Sequence, residues 1–308
     1  MTGRIAFLGD TLLGGTAQPL IDEYGYDYPL AKIRHLWAGA DLVVANHEAP
    51  LTKAEHPAAK KDTGKKRYWY KGDPESAQTL AAHGVGVVSL ANNHVADFGT
   101  GGVLDTMTAL DAAGIVHCGA GWDDEVASRP ALVTVSDLRI AFFSVMQRYQ
   151  TYIDEDLYAS SCHPGPALLD VGNLKAQMAD LREQVDLCVV LVHWGRNYRP
   201  LTERQQHLAH ALAGAGADLV VGHHPHIPQP VRRVDGVPVF FSLGNGAFGS
   251  PGRFHSARPP YGLVATVEVD RRAVTAIEVS LIHVDNSVVN YQPVPVENAG
   301  WLSGILTN

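Results

Sequence analysis

Unbroken apolar runs recur along this chain, and they restrict its fold more than any other feature. Leu42-Val43-Val44-Ala45 and Val189-Val190-Leu191-Val192 contain no polar residue. A strand with one wet face alternates apolar and polar residues, whereas a strand that is apolar throughout is buried on both faces. Strands are expected at 4–8, 41–45, 85–90, 131–135, 139–145, 187–192, 218–222, 238–243, 262–269 and 273–284. Amphipathic stretches of helical period lie between them at 28–38, 74–83, 100–113, 171–184 and 202–215. The alternation predicts an α/β fold with mixed sheets. The last two strands have no helix between them and are expected to pair antiparallel. No linker or low-complexity tract divides the 308 residues, so a single domain over 1–308 is expected. Two connections, about 52–72 and 147–168, are long enough to carry function, and a third, 246–261, is rich in Gly, Pro and Arg.

Composition removes several classes of function. The formal charge of -8 argues against general nucleic-acid binding, which needs a basic surface. Three widely spaced cysteines give neither a disulfide framework nor a thiolate cage and suit a reducing compartment. Fifteen histidines against those three cysteines turn any metal site toward imidazole and oxygen donors. The N-terminus enters a strand-like run at once, with no basic region followed by an apolar one, and no run of 18 apolar residues exists. No membrane span and a cytoplasmic location are therefore expected.

The unusual polar clusters sit just after the strands. Asp10 follows 4–8, Asn46-His47-Glu48 follows 41–45, and Asn92-Asn93-His94 follows 85–90. His193-Trp194-Gly195 follows 187–192, His223-His224-Pro225-His226 follows 218–222, and Leu243-Gly244-Asn245 closes 238–243. The carboxyl ends of strands in α/β folds converge on one crevice, so these distant residues can meet. In His224-Pro225-His226 the residue before proline is pushed toward extended backbone, and i and i+2 of an extended chain point the same way. Both imidazoles would then face one cavity. Each residue also has a plainer reading. Asp10 could cap a turn, Asn46 and Asn93 could be turn residues, and His193 could be a satisfied core histidine. Glu48 is harder to dismiss, because a carboxylate after an apolar run faces a desolvation cost unless it is paired. His94 is a candidate ligand or general acid, with Asp97 placed to orient it. Taken together, Asp10, Glu48, Asn93, His193, His224 and His226 make a chemically sensible centre for two divalent ions. Mn, Fe and Zn all suit its nitrogen and oxygen donors. Two such ions would leave the site net positive, would prefer an anionic substrate, and would activate water as a nucleophile.

At these residues the chain resembles the CapA family of poly-γ-glutamate capsule-biosynthesis proteins, within the calcineurin-like metallophosphoesterase superfamily. The matching motifs are Gly9-Asp10, Asn46 to Thr52, Ser89 to His94 with Asp97-Phe98-Gly99, His193-Trp194-Gly195, His224-Pro225-His226 and Ser242 to Asn245. They lie in the family's order. The resemblance implies a four-layer αββα sandwich of two mixed β-sheets flanked by helices. It implies one metal on Asp10, Glu48 and His226 and a second on Glu48, Asn93, His193 and His224, with His94 as general acid. The chain departs from the family's usual pattern at Asn197, where a Glu is common, and at Gly246, where a Phe is common.

The segment 53–71 carries Lys53, Lys60, Lys61, Lys65, Lys66, Arg67 and Lys71, then Tyr68-Trp69-Tyr70. It could steer an anionic substrate, or be a solvated charged loop. Arg148, Arg196, Asn197 and Arg253, with Arg258, are candidate substrate-binding residues. The tyrosines of 147–168 could form a lid or pack on the surface. The expected function is a metal-dependent hydrolase that uses a metal-activated hydroxide on a phosphoester or a γ-glutamyl-type amide. The alternative is a non-catalytic polymer-binding or assembly protein that keeps a structural metal site.

Overall fold

In the computed structural model, which describes residues 2–59, 68–255 and 258–306, the apolar runs form two large sheets. The first is ordered Val294–Val296, Ala273–His283, Tyr261–Asp270, Gly3–Leu12, Leu42–His47, Val85–Ser89 and Val116–Cys118, with Asn245–Phe248 pairing at the end of Gly3–Leu12. The second is ordered Pro228–Val234, Val237–Leu243, Leu219–His223, Leu187–His193, Leu138–Met146 and Ala131–Val135. Both are mixed. From Gly3–Leu12 to Val116–Cys118 the first sheet is parallel, as is the middle of the second. Tyr261–Asp270 and Ala273–His283 pair antiparallel.

Side-chain alternation along these strands builds four layers. Ile5, Phe7, Val44 and Val87 of the first sheet meet Phe142, Val189, Leu191 and Val221 of the second in one central core. Their neighbours point the other way. Ala6, Leu8, Val43 and Val88 pack under Leu80, Val103 and Leu110 of the helices Ser76–Ala82 and Gly99–Ala112. Phe143, Val190, Val192 and Val220 pack under Leu174, Met178 and Leu212 of Val171–Leu181 and Glu203–Ala215. The result is an αββα sandwich, and it explains why the strands are apolar on both faces. Full burial of each such side chain contributes roughly 1.5–3 kcal/mol, so a register slip of one residue would be costly.

The segment 28–38 departs from the expected helix. It is a series of turns followed by a short 3₁₀ helix, Arg34–Trp37. The amide of Leu30 donates to Asp27 O at 3.0 Å, that of Ile33 to Leu30 O at 3.1 Å, and that of Leu36 to Ile33 O at 2.9 Å. Successive three-residue turns bury Leu30, Ile33 and Trp37 on one side, which mimics helical period in the sequence. Helix Glu203–Ala215 follows its local signals more closely. Thr202 and Gln205 form a reciprocal capping box, and Gly216 ends the helix at φ 109°. Among the described residues no helix is long and apolar enough to cross a membrane.

Candidate metal centre

Three neighbouring parallel strands of the first sheet and two of the second deliver their C-terminal ends to one edge of the sandwich. Asp10 sits at a register shift in the pairing of Gly3–Leu12 with Leu42–His47, where the other edge of Gly3–Leu12 passes from Tyr261–Asp270 to Asn245. Its backbone N–H donates to Gly244 O at 2.9 Å. A Cβ on Gly9 would lie 2.2 Å from that same oxygen, so glycine is required before Asp10 for the two chains to approach. Asp10 therefore lies within a strand and is not a turn cap.

Asp10, Glu48 and His226 bring one donor atom each to within 4.8 Å of one another, and so do Glu48, His193 and His224. Glu48 belongs to both groups. Its Oε1 lies 3.7 Å from Nε2 of His193 and 3.7 Å from Nε2 of His226. Asn93 joins the second group, with Oδ1 2.7 Å from His193 Nε2. All of these side chains are buried. Both carboxylate oxygens of Glu48, and Nδ1 of His193 and of His224, are buried without a hydrogen-bond partner among the described residues.

The electrostatics fit a cation. Burial, then the Asp10 and Asp97 charges, hold the Glu48 carboxyl well above its ordinary range. Burial alone would raise Asp10 too, but its contacts with His226 and the charge of His223 bring it below the ordinary value. Burial, then the neighbouring histidines, keep His193 well below the usual imidazole range, and burial pushes His224 down to about 3. Neutral imidazoles and an uncompensated carboxylate are poor company for a folded core. They are good donors for divalent ions, which would stabilise the Glu48 charge and need no proton on the rings.

The His224-Pro225-His226 segment reaches the site by a different path from the extended one expected. His224 has φ 95° and His226 φ 58°, both in the left-handed region that residues with a side chain rarely adopt. The chain bends tightly after Leu219–His223, and the two rings, 6.2 Å apart, enter different donor groups. Backbone held in this region by a non-glycine residue costs roughly 1–3 kcal/mol and collects at functional sites.

Amide side chains that sequence reading leaves as turn or strand-end residues hold the donors in place. Asn46 Nδ2 donates to Asp10 Oδ1 at 2.8 Å, and Asn92 Nδ2 donates to His47 O at 2.8 Å. His226 Nδ1 lies 2.9 Å from Asn245 Oδ1 and 3.2 Å from Asp10 Oδ2. His223 Nε2 donates to Leu8 O at 3.2 Å and ties the two sheets together beneath the site. The position of these residues at strand ends was the available signal for their role.

His94 stands at the rim. Its Nδ1 donates to Asp97 Oδ2 at 2.7 Å, and Asp97 also accepts the backbone N–H of Tyr70 at 2.7 Å. The Tyr70 ring packs 4.5 Å from the His94 ring, and its hydroxyl meets Ser250 Oγ at 2.9 Å.

The candidate substrate residues fall into two places. Arg148 and Arg196 are exposed and line a cavity beside Tyr149, while Asn197 is exposed on the following turn. Arg253 lies over the rings of Tyr68 and Tyr198 at 5.5 and 5.7 Å, and Arg258 lies over Tyr198 at 5.6 Å. Of the basic segment, Lys53 pairs with Asp73, and Lys71 donates to Ala54 O at 2.6 Å. Lys60, Lys61, Lys65, Lys66 and Arg67 lie outside the described residues. The 147–168 tyrosines pack: Tyr158 joins Ala91 and Met146 in a small core with Tyr149 and Tyr152 against it.

Known proteins resemble this chain in sequence. A family model described as bacterial capsule synthesis protein PGA_cap matches residues 4–250. The PGA biosynthesis protein CapA of Bacillus subtilis (strain 168) is 27% identical over 245 residues, covering 79% of this chain and 62% of that protein. A "Probable polyglutamine synthesis accessory protein" of Mycobacterium tuberculosis (strain ATCC 25618 / H37Rv) is 33% identical over 213 residues, 67% of this chain and 55% of that one. The chain thus spans about 55–62% of the length of these two relatives. The solved NAD nucleotidase of Haemophilus influenzae superposes with a TM-score of 0.48 at 12% identity, over 99% of this chain and 61% of that one.

Proposed function

The chain belongs to the bacterial capsule synthesis protein PGA_cap family, and we propose that it is a metal-dependent hydrolase with a dinuclear centre that acts on an anionic substrate. The observation that carries this reading is Glu48, a fully buried carboxylate with no hydrogen-bond partner among the described residues, shared between two groups of donors. One divalent ion would be held by Asp10, Glu48 and His226, the other by Glu48, Asn93, His193 and His224. Bound there, the ions would supply Lewis acidity and a nucleophile drawn from water near neutral pH.

The chain's own residues do the rest. Asp97 accepts from His94 Nδ1, which leaves Nε2 as the nitrogen that can carry a proton to the departing group. The backbone N–H of Tyr70 fixes Asp97, and the Tyr70 ring limits the travel of the imidazole. Asn245 and Asn46 hold His226 and Asp10 in single orientations. Arg148, Arg196, Asn197 and Arg253 are the proposed substrate contacts. Two reactions suit the site, cleavage of a phosphoester and hydrolysis or transfer of a γ-glutamyl-type amide. The relatives' names, which speak of PGA and polyglutamine, favour the amide.

Elemental analysis of gently purified protein tests the centre. About two transition-metal ions per chain are expected, falling toward none in Glu48→Ala and His224→Ala. No binding after reconstitution with Mn, Fe and Zn would end the reading. Released phosphate against released amine then separates the two reactions.

A second reading draws on the word accessory in the relative's name. A polymer-binding or assembly protein would keep the metal as a structural element. It has no use for a proton donor at the rim, so His94→Ala would leave its role in the cell intact.

A further inference from the structure

We infer that the cavity beside Tyr149 is an oxyanion subsite built from Arg148, Arg196 and Arg204. It takes a second acidic group of a substrate whose reacting group lies at the His224 side of the centre. This rests on the hydrolase reading only for which end of the molecule the cavity holds.

The cavity measures about 540 Å³ and is lined by these three arginines with Gln147, Tyr149 and Glu203 among others. That is within the range of small-molecule sites, about 300–1,000 Å³. Tyr149 is the wall it shares with the metal centre, for its ring lies 5.5 Å from the His224 ring. The wall is held at several points. The Tyr149 hydroxyl donates to Gly195 O at 2.9 Å, its backbone N–H donates to Tyr158 Oη at 3.0 Å, and the Gly195 N–H donates to Gln147 Oε1 at 3.3 Å. An acid in the cavity would therefore sit at a fixed offset from the reacting group.

The charge distribution gives the ligand class. Arg4, Arg129, Arg182 and Arg272 have acidic partners elsewhere. Arg148, Arg196 and Arg204 make no such pair among the described residues, and Glu203 is the one acid on the lining. Three unpaired guanidiniums around one cavity, in a chain of net charge -8, are repulsive when empty and suit an oxyanion. A carboxylate and a phosphoryl group share that chemistry.

Calorimetric titration of the full chain after chelation tests the site without any contribution from turnover or metal. The probes are glutarate, inorganic phosphate and neutral glutaramide. At least one of the two anions should bind, glutaramide should not, and Arg196→Ala/Arg204→Ala should weaken anion binding at least tenfold. Glu203→Gln should strengthen it, while Arg129→Ala, at an exposed arginine paired with Glu125 away from the cavity, should leave it unchanged. Glutarate alone assigns the subsite to a carboxylate, and phosphate alone to a phosphoryl group. Failure of both anions to bind, equal binding of glutaramide, or affinity unchanged in the double variant overturns the proposal. An anion that binds here in a chain showing no turnover after metal loading would support the subsite and sink the hydrolase reading instead.

Discussion

His226 turns Nδ1 to the amide oxygen of Asn245, 2.9 Å away, while its Nε2 faces Glu48 at 3.7 Å. An amide oxygen only accepts, so Nδ1 carries the proton and Nε2 is left as the free donor for a metal. Loss of such a supporting acceptor typically lowers metal affinity about 10–100-fold. Asn245→Ala should show that loss in competition with a chelating dye, with melting temperature after chelation nearly unchanged. Asn245→Asp keeps an acceptor and should recover most of the affinity. Wild-type affinity in the alanine variant would show that Asn245 does not position the ring.

The buried histidines set how the metal-free protein responds to acid. Burial pushes His47 down to about 4 and, ahead of its neighbours' charges, His224 to about 3, and it lowers His193 and His223 as well. These rings stay neutral when folded and gain protons when unfolded, so their contribution is complete above about 6.5 and is lost as the pH falls. Each proton taken up on unfolding changes stability by about 1.4 kcal/mol per pH unit. Glu48, raised by burial, runs the other way: it favours the folded state at low pH and loses that contribution as pH rises past its ordinary value. Four histidines outweigh one carboxyl, so the urea midpoint of chelated protein should fall from pH 7.5 to pH 5.5. Glu48→Gln removes the opposing group and should make the fall steeper. A midpoint constant across that range would contradict the assignment of neutral, buried rings.

Much of this arrangement is legible in the sequence because it is carried by long apolar runs. A strand such as Leu187–His193, buried on both faces, announces itself. The strands that escape notice are short or borrowed from their neighbours: Val116–Cys118, Asn245–Phe248 and Val294–Val296 have too few residues to show a period. Pro228–Val234 begins and continues with prolines, which argue against a central strand, and it lies at a sheet edge where they are tolerated. At the site, the strand-end clusters mark which residues can meet. They do not tell how His224 and His226 get there, because positive φ is not a preference that histidine or the following proline encodes. Asn46 reads as a turn former and Asn245 as the close of a strand for the same reason: only the folded site reveals that their amides face Asp10 and His226.

Gly9 is a backbone requirement with a direct consequence for Asp10. A Cβ there would meet Gly244 O at 2.2 Å, and a main-chain oxygen held in a strand cannot move aside cheaply. Gly9→Ala should cost about 1–3 kcal/mol by overpacking and should also shift Asp10 away from His226. Reduced metal stoichiometry together with a lower urea midpoint is the expected result. A variant as stable as wild type would mean that the two strands separate freely at this point.

His94 separates the catalytic from the structural account of the centre. It sits 2.7 Å from Asp97 through Nδ1 and is absent from both groups of donors that share Glu48. Removing it should therefore leave the metal content at its wild-type value. If its Nε2 hands a proton to the leaving group, His94→Ala should lower kcat about 10²–10⁴-fold. The loss should shrink for substrates whose leaving group departs without protonation, such as a nitrophenolate or nitroanilide, because these make no demand on an acid. Asp97→Asn should reproduce part of the defect, since the amide no longer stabilises the charged imidazole. A uniform loss across good and poor leaving groups would point to substrate positioning, and no loss at all would take His94 out of the chemistry.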